Sequence, residues 1–132
     1  MDPLIILARI AHIFAAVLWV GGGVLYFLFI EPAIDKTMPA SQKFMQTFIK
    51  QYSPFMGLVS VITVLAGATL YWRDSSGLQW SWIATPTGIG FSLGAIVGIA
   101  TSAMGFFVVK PRADRLGLVA AQIESQNQPP SA

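Results

Sequence analysis

The stretch Leu4–Ile30, LIILARIAHIFAAVLWVGGGVLYFLFI, decides the fold. It is apolar almost throughout and interrupted only by Arg9 and His12. A helix needs about 20 such residues to cross a hydrocarbon core of ~30 Å, and this run exceeds that. Two further runs, 55–72 and 87–109, have the same character. The composition agrees over the whole chain. Of 132 residues, 55% are hydrophobic and only 11% are charged. A soluble domain carries about 25% charged residues, and a disordered chain is richer in charge and poorer in aromatic rings. The reading is an all-α integral membrane bundle of three transmembrane helices, forming one domain over residues 1–132.

Proline punctuates the runs. Pro3, Pro54 and Pro86 each follow a residue suited to helix capping, Asp2, Ser53 and Thr85. At the first turn of a helix the missing N–H is no loss. Pro32 and Pro111 fall just beyond the first and third runs and are expected to end them. The first run lacks a basic n-region and is too long for a cleaved signal peptide, so it is expected to remain in the mature protein.

Between the first two spans, Phe44, Met45, Phe48, Ile49 and Tyr52 recur at helical spacing, with Lys43 and Lys50 opposite. This pattern predicts a cytoplasmic amphipathic helix over 41–52, lying in the membrane surface or docking a partner. A weaker stripe, Leu116, Val119, Ala120 and Ile123, predicts a short C-terminal amphipathic helix over 111–125.

The basic residues orient the bundle. Lys36, Lys43, Lys50, Lys110, Arg112 and Arg115 lie on one side, Arg9 and Arg73 on the other. The positive-inside rule puts the 31–54 loop and the C-terminus in the cytoplasm and the N-terminus outside. The expected location is the bacterial cytoplasmic (inner) membrane. Trp72, Trp80 and Trp82 then suit the outer headgroup level. The basic residues form no nucleic-acid patch, so no nucleic-acid partner is expected.

Two helix faces carry the remaining information. Gly90, Gly94, Gly98 and Ser102 repeat every four residues, and Gly22 sits on the small face of the first span. Small residues at this spacing let another helix approach closely. The expected partners are the lipid bilayer and either further copies of the chain or other membrane subunits. On the first span, His12, Ala15, Ala16, Trp19, Gly22, Gly23 and Tyr26 share one face, which we read as facing the bundle.

His12 is the only histidine, and cysteine is absent. An ionisable residue inside a span suggests function. Its neutral ring can ligate a metal or a haem iron. It can equally make an interhelical hydrogen bond to Ser60, Thr63, Thr101 or Ser102. One histidine without cysteine or a nearby carboxylate does not make a protein-only zinc site. With no catalytic triad and no phosphate loop, a hydrolase or kinase is not expected.

The pattern Arg9-Ile-Ala-His12, six residues, then Trp19-Val-Gly21 resembles the opening helix of a loose superfamily of small bacterial membrane proteins. The copper-resistance D family, the membrane domain of certain urate oxidases and the haem-binding membrane protoporphyrinogen oxidase belong to it, with further small membrane proteins. Leu65–Arg73 with Asp74, and Arg115-Leu-Gly-Leu, look similar to the last group. The resemblance implies an inward-facing His12 as axial ligand to haem b, Trp19 lining the pocket and Arg9 near the propionates. The chain departs from that pattern in having three spans rather than four or more, and no second histidine. Ligation by two histidines would need a second copy, and Met56 or Met104 could be the sixth ligand, with nothing in the spacing to select one. The polar residues that the enzymatic members carry in later helices find no match.

The functional expectation is a helix-packing or accessory subunit that binds haem b at His12. The alternatives are a redox or porphyrin-handling membrane enzyme, and a copper-related or small-solute transport component.

Overall fold

The computed structural model describes residues 2–37, 40–111 and 115. Among these residues the chain is helical without strands. Helix α1 spans Pro3–Leu25, passes through a π-helical turn at Tyr26–Ile30 and continues as α2, Glu31–Thr37. Helix α3 spans Gln42–Asp74, α4 is the short turn Trp80–Ile83, and α5 spans Pro86–Met104. A second π-helical turn, Gly105–Val109, closes α5. Three of these rods are long and apolar enough to cross a membrane: Pro3–Thr37, Lys43–Asp74 and Pro86–Val108.

Two expected caps are present. The Asp2 carboxylate accepts from Leu4 N–H at 3.0 Å, and Thr85 Oγ1 accepts from Gly88 N–H at 3.1 Å. The expected stop at Pro32 is not, because the chain stays helical through it to Thr37. Pro111 is itself helical, and the residues that directly follow it lie outside the described ones. Each π-helical turn ends two residues before a proline. Proline removes one N–H, and its ring presses on the carbonyl four residues back. A π turn is wider and hands its bonds to the carbonyl five residues back, so it makes room for the ring. Glu31 N–H accordingly bonds Tyr26 O, and Lys110 N–H bonds Gly105 O.

The second correction is larger. No separate helix lies over 41–52, and Pro54 does not start the second span. Residues 42–74 form one helix with Pro54 inside it. The cause is tertiary. Phe48 and Tyr52, on the apolar face of the expected surface helix, stack on Tyr26 of the first rod. Ring centroids lie 6.3 and 5.5 Å apart. Two such pairs contribute about 0.5–1.5 kcal/mol each beyond the area they bury. That offsets much of the ~3 kcal/mol an interior proline costs. The expected C-terminal helix over 111–125 falls almost wholly outside the described residues.

Helix α3 is the centre of the bundle. Helix α1 packs along it closely and antiparallel, α5 packs along it more sparsely, and α1 and α5 make at most marginal contact with each other. The α1–α3 seam holds the buried residues Ile5, Ala15, Val59, Ser60 and Thr63. The two hydroxyls are satisfied within α3, Ser60 donating to Gly57 O at 2.9 Å and Thr63 to Val59 O at 2.8 Å. At one end of the seam Arg9 pairs with Asp74 at 3.8 Å and Arg73 with Asp2 at 3.7 Å. Outward, large side chains such as Leu7, Phe14, Leu65 and Leu93 are exposed, as a lipid-facing surface requires.

Helix α5 is held to α3 by side chains rather than by close backbone approach. Tyr71 Oη and Ser92 Oγ are 2.5 Å apart, and Ser102 Oγ donates to Ser60 Oγ at 3.4 Å. Phe106 covers Gly57. The turn before α5 is tight, because a Cβ at Gly88 would collide with the carbonyl oxygens of Trp82 and Ile83.

Candidate functional site

The wedge between α1, α3 and α5 forms a half-open cavity of about 880 Å³. Ligand pockets run to about 300–1,000 Å³, so this space is of the size that takes a large organic group. Its walls are mostly hydrocarbon and aromatic. Trp19 lines it from α1, Trp82 and Phe91 from the α5 side, and Arg9 and Asp74 stand at one end.

His12 is the polar group best placed for ligation. Its Nδ1 lies 2.8 Å from the carbonyl oxygen of Thr63. A carbonyl only accepts, so Nδ1 carries the proton and donates it. In the neutral ring the lone pair is then on Nε2. Nε2 has no hydrogen-bond partner among the described residues, and no partnerless polar side-chain atom among them is buried. Nε2 is therefore open, and His12 lines the cavity. This arrangement, one nitrogen anchored to a backbone carbonyl and the other available, is the one metal-ligating histidines use.

Gly67 makes the anchor possible. It stands one helical turn after Thr63, beside the carbonyl that His12 reaches. A Cβ there would lie 2.8 Å from His12 Cε1 and 3.1 Å from Nδ1. Sequence reasoning named Thr63 among four partners for His12 and missed Gly67. Nothing in Leu65-Ala-Gly67-Ala singles it out until the register of α1 on α3 is known.

The other expected site residues fall as follows. Trp19 is half-buried and lines the cavity. Arg9 sits at the cavity end, its side chain 52% exposed and paired with Asp74. Gly22 is a contact position, where a Cβ would stand 3.0 Å from Met56 Sδ. Ser102 bridges to Ser60. Gly90, Gly94 and Gly98 bring no helix close within the chain, because a Cβ at each would meet nothing within 4 Å. They form the α5 wall of the cavity instead.

Trp82 is also more than an interfacial anchor. It stacks on Phe91 with centroids 6.2 Å apart and meets Tyr71 edge-on at 5.5 Å, whereas Trp80 is 76% exposed. The loop above is unusual in its backbone. Ser76, Gly77 and Leu78 all have positive φ, and Leu78 lines the cavity. The buried Ser75 hydroxyl accepts from Leu78 N–H at 2.9 Å and holds this turn. Among the described residues no group of three or more His, Cys, Asp or Glu gathers around a metal-sized site.

No family model, curated protein or solved structure matches this chain.

Proposed function

We propose that this chain is a small integral membrane protein that serves as an accessory subunit and holds haem b in the α1–α3–α5 cavity through His12 Nε2. The observation that carries the reading is the His12–Thr63 hydrogen bond, which fixes the tautomer and leaves Nε2 of this cavity-lining residue without a partner. The residues present fit the group. His12 supplies a nitrogen ligand, and Trp19, Trp82 and Phe91 supply flat apolar walls. Arg9 at the cavity end is a cation that a propionate can share with Asp74. Haem bound here supplies one-electron chemistry or ligand binding at iron.

The proposed setting is the bacterial inner membrane with the N-terminus outside. The charge distribution supports this orientation. At the Asp2 end both arginines are matched by carboxylates, whereas Lys36, Lys43, Lys50 and Lys110 lie at the other end.

A second reading has its own support. Gly90 and Gly94 are exposed along α5, so a helix from another copy or another subunit has a place to pack. In that reading the chain is a packing subunit without cofactor.

Absorption spectra of the purified protein, oxidised and reduced, beside those of His12→Ala, separate the two. A Soret band that His12→Ala abolishes is the expected result. A folded protein that stays colourless after haem is added overturns the haem reading and leaves the packing subunit.

A further inference from the structure

Among the described residues the cavity offers iron one protein ligand. Besides His12, the lining side chains with an oxygen able to meet a metal are Thr63, Tyr71 and Asp74. Each is engaged: Thr63 with Val59 O at 2.8 Å, Tyr71 with Ser92 at 2.5 Å, and Asp74 with Arg9 at 3.8 Å. Met56 and Met104 are elsewhere. Met56 lies against Gly22, ten residues and about 15 Å along α1 from His12. Met104 is 58% exposed on α5 and does not line the cavity. The chain has no second histidine and no cysteine. On α5, Gly90, Gly94 and Gly98 line the cavity beside Phe91, Ala95 and Ile99, with open space in front of each glycine.

We propose that His12 is the sole protein ligand to the haem iron and that the second axial position takes a small neutral diatomic molecule, of the class of carbon monoxide, nitric oxide and dioxygen. This inference rests on the haem reading above. The glycine wall leaves the space that such a ligand needs and supplies no side chain that competes for the iron. Its apolar character sets the ligand class. A neutral diatomic crosses lipid and enters an apolar cavity without losing hydrogen bonds, whereas an anion such as azide must shed its hydration shell to enter. Arg9, the cation at the cavity end, is already matched by Asp74.

The test uses the full chain in detergent micelles, loaded with one equivalent of haemin. The ferrous protein is titrated with carbon monoxide and the ferric protein with azide. The expected ferrous spectrum is five-coordinate and high-spin. Carbon monoxide shifts its Soret band and saturates at one per haem, and azide binds the ferric form far more weakly. Gly94→Leu fills the wall and is expected to weaken carbon monoxide binding about ten-fold while the unliganded spectrum persists. A low-spin, six-coordinate spectrum indifferent to carbon monoxide overturns the inference and leaves haem binding standing. Azide binding as readily as carbon monoxide overturns the ligand class. Absence of any Soret band removes the haem reading and this inference with it.

Discussion

Gly67 and His12 occupy the same space on opposite helices: the imidazole lies where a side chain at residue 67 would begin. The contact joins packing to chemistry, because the ring can reach the Thr63 carbonyl only while that space is empty. Gly67→Ala is therefore expected to displace the ring and cost about 1–3 kcal/mol, the usual range for overpacking. Thermal unfolding in detergent reads the loss, and the Soret band should weaken with it. Gly90→Ala is the control. With open space at that position, it should gain about 0.5–1 kcal/mol from better helix propensity.

Gly22 and Gly88 are both tight, but against different neighbours. A Cβ at Gly22 meets the flexible end of Met56, while one at Gly88 meets the backbone of Trp82 and Ile83. Gly22→Ala is expected to cost under about 1 kcal/mol, since a methionine re-rotamers easily. Gly88→Ala has no such relief and should cost more than about 3 kcal/mol, within the class of severe single substitutions. Comparable melting temperatures for the two variants would contradict the difference in neighbours.

Pro54 tests the continuity of α3. Inside a helix, Pro54→Ala restores an N–H bond to the Lys50 carbonyl and removes a ring clash, so it should stabilise the protein by up to about 3 kcal/mol. Were Pro54 the first residue of a span, the same change would be neutral or slightly harmful. Chemical denaturation of both proteins in matched micelles decides between these outcomes.

Leu78 holds a left-handed conformation at φ +66° while 51% exposed. Replacing it gives an inverted propensity order. Leu78→Gly should be more stable than Leu78→Ala by about 1 kcal/mol, because only glycine enters this region without a Cβ penalty. Equal stabilities of the two variants would show that the turn relaxes instead.

The ion pair Arg9–Asp74 should count for little in stability. Its side chains are 52% and 38% exposed at 3.8 Å separation, and such pairs contribute about 0.2–1 kcal/mol. A double-mutant cycle with Arg9→Ala and Asp74→Ala should give a coupling in that range, shrinking as salt is added.

What was legible in the sequence follows physical locality. Hydropathy alone marks the three spans, and the caps at Asp2 and Thr85 depend only on the next three residues. The face from His12 to Tyr26 is readable because lipid and helix neighbours demand different side chains, and each of its residues is buried or half-buried. The prolines misled because their effect here is not local. Pro32 and Pro111 are carried by π turns placed before them, and Pro54 is carried by rings stacked from another helix. Gly67 and the glycine wall of α5 were equally beyond reach. Whether a glycine meets a ring, a backbone or empty space depends on how two helices are registered, and Arg9–Asp74 and Gly22–Met56 fix that only in three dimensions.

Because α1 and α5 both lean on α3 and hardly touch each other, the cavity that His12 lines has a side between two lipid-facing helices that no helix seam closes. A hydrophobic guest reaching the cavity that way arrives from the bilayer and not from water. Its occupancy follows its mole fraction in the membrane, so an affinity expressed per volume of buffer shifts with the amount of lipid in the sample. Titrations at two lipid-to-protein ratios should superimpose only when the guest is counted per lipid.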